Sequence, residues 1–241
     1  MNLLAFDTST DQMSIALQRG SGTEAGLWQH TAAGGALTST QLIPDIQRLM
    51  ALAGLAFGQL DAIVFGAGPG SFTGLRTACS VAQGLGFGAG VPVLPVDTLL
   101  AVAEEARGQL GSPACLKACA LLDARMDEVY AASYCFESGM WTLSKGYSLI
   151  SPENLVCDEA AVLAGNVFAA YGERLPAALA QRVTAMPTAT ALLRLAPALL
   201  AAGAAVSADQ ALPTYIRDKV AQTTQEREAA KLAAALPAAS H

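Results

Sequence analysis

The chain has 241 residues, enough for one large domain or two small lobes. It is 53% hydrophobic, so it can bury a real core, and carries 14 basic against 20 acidic residues for a net charge of −6. That balance argues against a chain that grips nucleic acid by itself, because phosphate affinity is built from clustered Lys and Arg; it leaves room for a local basic patch or a basic partner.

Residues 2–7, NLLAFD, read as a strand ending in polar turn residues, and with no basic stretch ahead of Asp7 they do not read as an export leader. Residues 12–20 alternate, and 24–30 form a third strand-like stretch; the turns TSTD and GSGT join the three into an antiparallel meander. Apolar residues at 42, 43, 46, 49, 50 and 53 then have helical spacing, with Pro44 placed early, where a first turn tolerates it. LDAIVFG is a short buried strand, the glycine-rich residues 65–90 are a loop and helix, and VPVLPV is a closing strand.

After a helix, TLLAVAEEARGQ, the pattern starts again: residues 115–124, 128–136 and 140–150 make a second three-strand meander, followed by a short strand in VLAGNVF. The helical residues 188–203 carry Pro197 and are expected to break or kink there. Residues 211–222 read as a short strand and helix, and 223–241 as a mobile tail. The apolar run 196–206 is too short to span a bilayer, so no membrane partner is expected. Five scattered cysteines, Cys79, Cys115, Cys119, Cys135 and Cys157, lack zinc-type spacing and read as structural thiols in a reducing cytoplasm. Two lobes that each open on a meander and share a cleft are the actin/Hsp70/sugar-kinase-like (ASKHA) α/β architecture. Each lobe is a mixed sheet with flanking helices, and the second lobe is degraded. The lobes are expected at 1–97, with 208–222 packing back on it, and 98–207.

Three motifs bear on chemistry. In DTSTD, Asp7, Thr8, Ser9 and Thr10 end the first strand as such folds present phosphate or Mg²⁺. Thr8 and Ser9 stand where an enzyme of this architecture has glycine, so the site reads as vestigial or as a plain Asx-turn. In the glycine-rich stretch, the P-loop lysine is absent and GAGPGS misses the third glycine of a dinucleotide fingerprint. What remains is a strand-to-helix loop with Ser71 or Thr73 as N-cap. In the helix itself, Gly74, Ala78, Ala82 and Gly86 recur every four residues, which calls for a close backbone neighbour: this chain's own sheet or another subunit. DARMDEVY offers Asp123, Asp127 and Glu128, which a turn into a strand also explains. His30 and His241 stand far apart, and no Ser-His-Asp set, HExxH or dense carboxylate cluster is present in the sequence.

The motifs LLAFDTST, GPGSFTGLRTACSVAQGLGFG, LPVDTL, LDARMDEVYAASY and LPTYIRDKVA resemble the TsaB (YeaZ) family over about residues 2–220, most specifically at 68–76 and 123–130. The resemblance implies a bacterial, non-catalytic assembly and activation subunit. It pairs with a TsaD-like catalytic subunit and, with a TsaE-like ATPase, serves threonylcarbamoylation of the adenosine next to the anticodon (position 37) in tRNAs that read A-starting codons. The donor, threonylcarbamoyl-adenylate, comes from TsaC. ATP or ADP and metal are then expected on partner subunits or at the shared interface, with tRNA bound only through the complex and a homodimer when the chain is alone. Family members pair through the first two long helices of lobe I. The implied interface residues here are Leu42, Ile46, Leu49, Thr73, Gly74, Thr77, Ala78, Val81, Ala82 and Leu85. One departure is that Thr38, Ser39 and Thr40 replace the usual His-Ser-Glu-like element. The competing reading is an independent ASKHA-type phosphotransferase; it needs two phosphate-binding hairpins, and Ala124 and Arg125 stand where the second wants a glycine and a hydroxyl.

Overall fold

The structure, a computed structural model, describes residues 1–20, 26–158, 161–176 and 181–217. Strands β1 (Leu3–Asp7), β2 (Gln12–Arg19) and β3 (Gly26–Ala33) form the first antiparallel meander. Strands β4 (Ala62–Gly68) and β5 (Val93–Asp97) add to it in parallel, giving the order β3-β2-β1-β4-β5. Every residue of β1 and β4 is buried, which is why both read as continuous apolar runs; edge strand β3 alternates instead. Helices α1 (Thr38–Ala53) and α2 (Phe72–Ala89) cover one face of this sheet.

Helix α3 (Thr98–Gln109) leads into the second sheet, built from β6 (Leu116–Arg125), β7 (Glu128–Glu137), β8 (Met140–Ile150), β9 (Val162–Gly165) and β10 (Arg182–Thr184). Its order, β10-β9-β6-β7-β8, repeats the first with β6 in the place of β1. The sheet of the second lobe is therefore complete, and the degradation is confined to its helices. Among the described residues, a 3-10 turn, Pro152–Asn154, stands where the first lobe has α1, and the four-residue α4 (Phe168–Tyr171) stands where it has α2.

Helix α5 (Ala189–Ala201) follows the second sheet in sequence but packs on the first. Its Leu192, Leu195 and Ala196 share a core with Leu3, Ala5 and Val64. Helix α3 packs beside it and also covers the second sheet through Val102, Ala103 and Ala106. Glu104 ties this middle layer together. Buried to 2% exposure, it accepts hydrogen bonds from Arg107 (2.9 Å), Arg194 (2.9 Å) and the Trp141 indole (2.9 Å).

Two prolines lie inside helices. Helix α1 begins at Thr38, so Pro44 lies in its second turn rather than its first. Helix α5 runs unbroken through Pro197. Both prolines sit on exposed faces, where water can satisfy the carbonyl each leaves unbonded and the ring meets no packed neighbour. Residues 211–217 form no strand; the helix expected after them and the tail at 223–241 lie outside the described residues.

Candidate functional site: the interlobe cleft and the outer face of the first lobe

A cavity of about 630 Å³ lies between the lobes, lined by the β1–β2 turn, the glycine-rich loop, the β6–β7 turn and residues 214–217. The sequence-predicted turn residues reach it unequally. Asp7, Thr8 and Ser9 are buried, and only Thr10 is partly exposed. The Thr8 hydroxyl donates to the Gly74 carbonyl (2.7 Å), while the Ser9 hydroxyl (2.7 Å) and N–H (2.9 Å) both donate to Asp7 Oδ1. Asp7 Oδ2 is buried with no hydrogen-bond partner among the described residues. Burial pushes the Asp7 carboxyl up to about 6, against the lowering effect of the two Ser9 hydrogen bonds. Thr8 and Ser9 have thus spent their hydroxyls on the chain itself, and only Thr10, whose hydroxyl lies 3.4 Å from the Gln12 carbonyl, keeps one near the cleft.

The glycine-rich loop closes the same turn from the other side. The Ser71 N–H donates to the Ser9 carbonyl (2.7 Å), and Ser71 is the N-cap of α2, accepting from the Gly74 N–H (3.5 Å). A Cβ on Gly74 would run into the Thr8 carbonyl, and one on Gly66 into the Asp7 carboxylate. These two glycines are explained by the close approach of the β1–β2 turn, its backbone at Gly74 and the Asp7 side chain at Gly66.

Across the cleft, the β6–β7 turn holds Arg125, Met126 and Asp127 at φ of 61°, 56° and 59°, the left-handed region that side chains disfavour. Asp123 Oδ1 steadies it, accepting from the Arg125 N–H (2.8 Å) and the Tyr171 hydroxyl (3.0 Å). Arg217 clasps the turn, donating to the Ala124 carbonyl (3.0 Å) and to Glu128 (2.7 Å). The segment leading to Arg217 is anchored in the first lobe: the Thr214 N–H donates to the Ala67 carbonyl (2.7 Å), and Tyr215 packs on Phe72 with ring centroids 5.2 Å apart. Tyr215 and Arg217 lie in the motif LPTYIRDKVA, but sequence alone assigned them no role. A second interlobe contact was also missed: the hydroxyls of Tyr134 and Tyr147, on β7 and β8, both donate to Asp97 Oδ2 at the start of α3. Burial, then the Asp97 charge, pushes both phenols up.

The structure divides the implied interface residues. Leu42, Ile46, Leu49, Gly74, Ala78 and Ala82 are buried inside this chain, where α1 and α2 pack on their own sheet. The small-residue stripe therefore faces inward, because α2 must approach the β1–β2 turn and β4 closely. Thr73, Thr77, Val81 and Leu85 remain at least partly accessible. The same two helices also carry exposed apolar side chains that the sequence reading did not count as contacts: Phe87 (84% exposed), Leu52 (62%) and Ile43 (41%). Their signal was helical phase. Each falls beside a core position and off the buried face, as Phe87 does beside Gly86.

The model of the family described as TsaD, tRNA N6-adenosine threonylcarbamoyltransferase, matches residues 35–241. A protein of Haemophilus influenzae named tRNA threonylcarbamoyladenosine biosynthesis protein TsaB is 34% identical over 233 residues, spanning 91% of this chain and 95% of the relative. The Escherichia coli protein of that name is 31% identical over 235 residues, 92% of this chain and 96% of its own. Among solved structures, YeaZ from Pseudomonas aeruginosa matches with a TM-score of 0.79 and 38% identity, over 89% of this chain and 99% of that one. The identity and the length matched agree: the chain belongs to the TsaB (YeaZ) family, within the wider family that the TsaD model describes.

Proposed function

We propose that the chain is the non-catalytic assembly and activation subunit of a tRNA threonylcarbamoyladenosine-forming complex. Its family supports a part in threonylcarbamoyladenosine biosynthesis. The finer reading is that it pairs with a TsaD-like catalytic subunit, works with a TsaE-like ATPase, and meets tRNA only through the complex. The target is then the adenosine at position 37 of tRNAs reading A-starting codons. Nucleotide and metal belong to the partners or to the shared interface.

The observation that carries this reading is the spent β1–β2 turn: Thr8 and Ser9, placed where phosphate would bind, are buried and hydrogen-bonded within the chain. The exposed apolar side chains on α1 and α2, Phe87 above all, offer a surface for pairing. The same face would serve a homodimer when the partner is absent.

Reconstitution tests it. A TsaD-like subunit and TsaE-like ATPase should modify tRNA only when this chain is added, and the chain alone should turn over neither ATP nor a phosphate acceptor. Steady-state kinase or ATPase activity of the isolated, contaminant-free chain would replace this reading with the phosphotransferase one.

A further inference from the structure

The covered face of the second sheet holds a row of reactive side chains that the reading above leaves unused. Cys119 on β6 stands opposite Ser133 on β7, and Ser133 opposite Lys145 on β8. The three lie side by side on neighbouring strands, spaced as cross-strand neighbours are. The segment after the Pro152–Asn154 turn crosses this face and brings Cys157 onto the same apolar cluster as Cys119. The two thiols share this cluster closely enough that each acts on the other's ionisation. Lys145 pins the segment, its Nζ donating to the Val156 carbonyl (2.8 Å). Cys119 is 1% exposed, whereas Cys157 is partly open to solvent.

We propose that Cys119 and Cys157 form a redox pair that closes to a disulfide when a low-molecular-weight disulfide, such as oxidised glutathione, reaches Cys157. The Cys157 thiolate attacks one sulfur of the reagent, forms a mixed disulfide and expels one thiolate. Cys119 gives up its proton and attacks the Cys157 sulfur, expelling the second. Two protein thiols are oxidised, one reagent disulfide is reduced to two thiols, and the two protons end on them.

The order of attack follows from the surroundings. Burial raises both thiols, Cys119 up to about 12, and the Lys145 charge works against the rise at both; at Cys157 the neighbouring Cys119 thiol also lowers it while the Asp158 charge raises it, and at Cys119 the Cys157 charge adds to the rise. Cys157 is thus both the reachable thiol and the one that ionises first. Cys119 resolves the mixed disulfide after the charge on Cys157 has gone. The pair is quiet at rest and responds to sustained oxidation. Closure would fasten the segment at 151–158 to β6. That segment also carries Glu153, whose partner Arg174 pairs with Asp127 of the cleft turn (2.8 Å), so the bond would stiffen one wall of the cleft.

The experiment is oxidation of the folded full chain with oxidised glutathione, followed by non-reducing peptide mapping. The expected product is a peptide pair linked through Cys119 and Cys157, about 2 Da lighter than the free dithiol, with a raised melting temperature that dithiothreitol reverses. Cys157→Ser should leave Cys119 unmodified. Lys145→Met should slow closure severalfold, and Lys145→Arg should restore it. The proposal is overturned if both thiols stay free, if Cys157 stops at the mixed disulfide, or if the bond joins Cys115 or Cys135 instead.

Discussion

At the scale of single residues, the β1–β2 turn is where the chain accepts a cost. A carboxylate with one unpartnered oxygen is buried at Asp7, and burial holds its carboxyl at about 6 in the folded protein against 3.8 for the free group. Between those values the native state binds more protons than the unfolded chain, so stability falls as pH rises from about 4 to about 6 and stays at the lower level above. The whole effect is on the order of 3 kcal/mol. Asp7→Asn removes the charge and keeps an acceptor for Ser9. It should be more stable than the parent at pH 7.5 by about 1–2 kcal/mol, after about 1 kcal/mol for an unpaired amide N–H, and should lose that advantage at pH 4. Urea unfolding at both pH values measures it; an advantage that is the same at both would mean the Asp7 charge is not the source. Glu104 behaves in the opposite sense. Burial opposes its ionisation, but Arg107, Trp141 and Arg194 outweigh that and hold it below its ordinary value. Its contribution is present above about 4.5 and is lost as pH falls further. The contribution of Asp7 is thus lost as pH rises and that of Glu104 as pH falls.

At the scale of elements, α2 shows what sequence can and cannot resolve. Its start was legible because Ser71 is a capping residue followed by helical spacing, and its spacing of small residues was legible as a close contact. Which neighbour makes the contact was not, because a small residue fits equally well against a sheet or against another helix. The β1–β2–β3 meander was legible for a different reason: period-2 patterning with turn residues between runs has few alternatives. The Cys119–Ser133–Lys145 row was invisible, since register between strands depends on turn lengths and bulges that the pattern does not fix. Two substitutions on α2 separate its faces. Ala82→Arg drives a charge into the first lobe's core, which should cost several kcal/mol and unfold or insolubilise the protein. Phe87→Asp changes an exposed side chain, so the melting temperature should stay within the range of about 0.5 kcal/mol while pairing with a TsaD-like subunit is lost. Circular dichroism melting and size-exclusion chromatography read both. Normal pairing by folded Phe87→Asp would move the interface off this face.

At the scale of the whole molecule, the two sheets repeat one topology but are held together by different means. The α3–α5 layer supplies an apolar contact to both, and Asp97 receives hydroxyls from β7 and β8. The third connection is the segment at 206–217, which starts on β5 through the Val93–Val206 bridge, passes α2 at Ala211 and ends on the β6–β7 turn at Arg217. It is the route by which α2 and the far wall of the cleft are joined. The arginine matters here as a fork, since one guanidinium bonds both the Ala124 carbonyl and the Glu128 carboxylate. Arg217→Ala should release the turn that carries three left-handed residues, at a cost of about 1–3 kcal/mol. Because the α3–α5 layer and Asp97 remain, the lobes should stay docked. Hydrogen exchange should therefore quicken at 124–128 and at 214–216 while β1 and β4 keep their protection. Arg217→Lys should restore little, having one charged group where two directed donors are needed. Uniform loss of protection across both sheets would show instead that this segment, and not the helical layer, holds the lobes together.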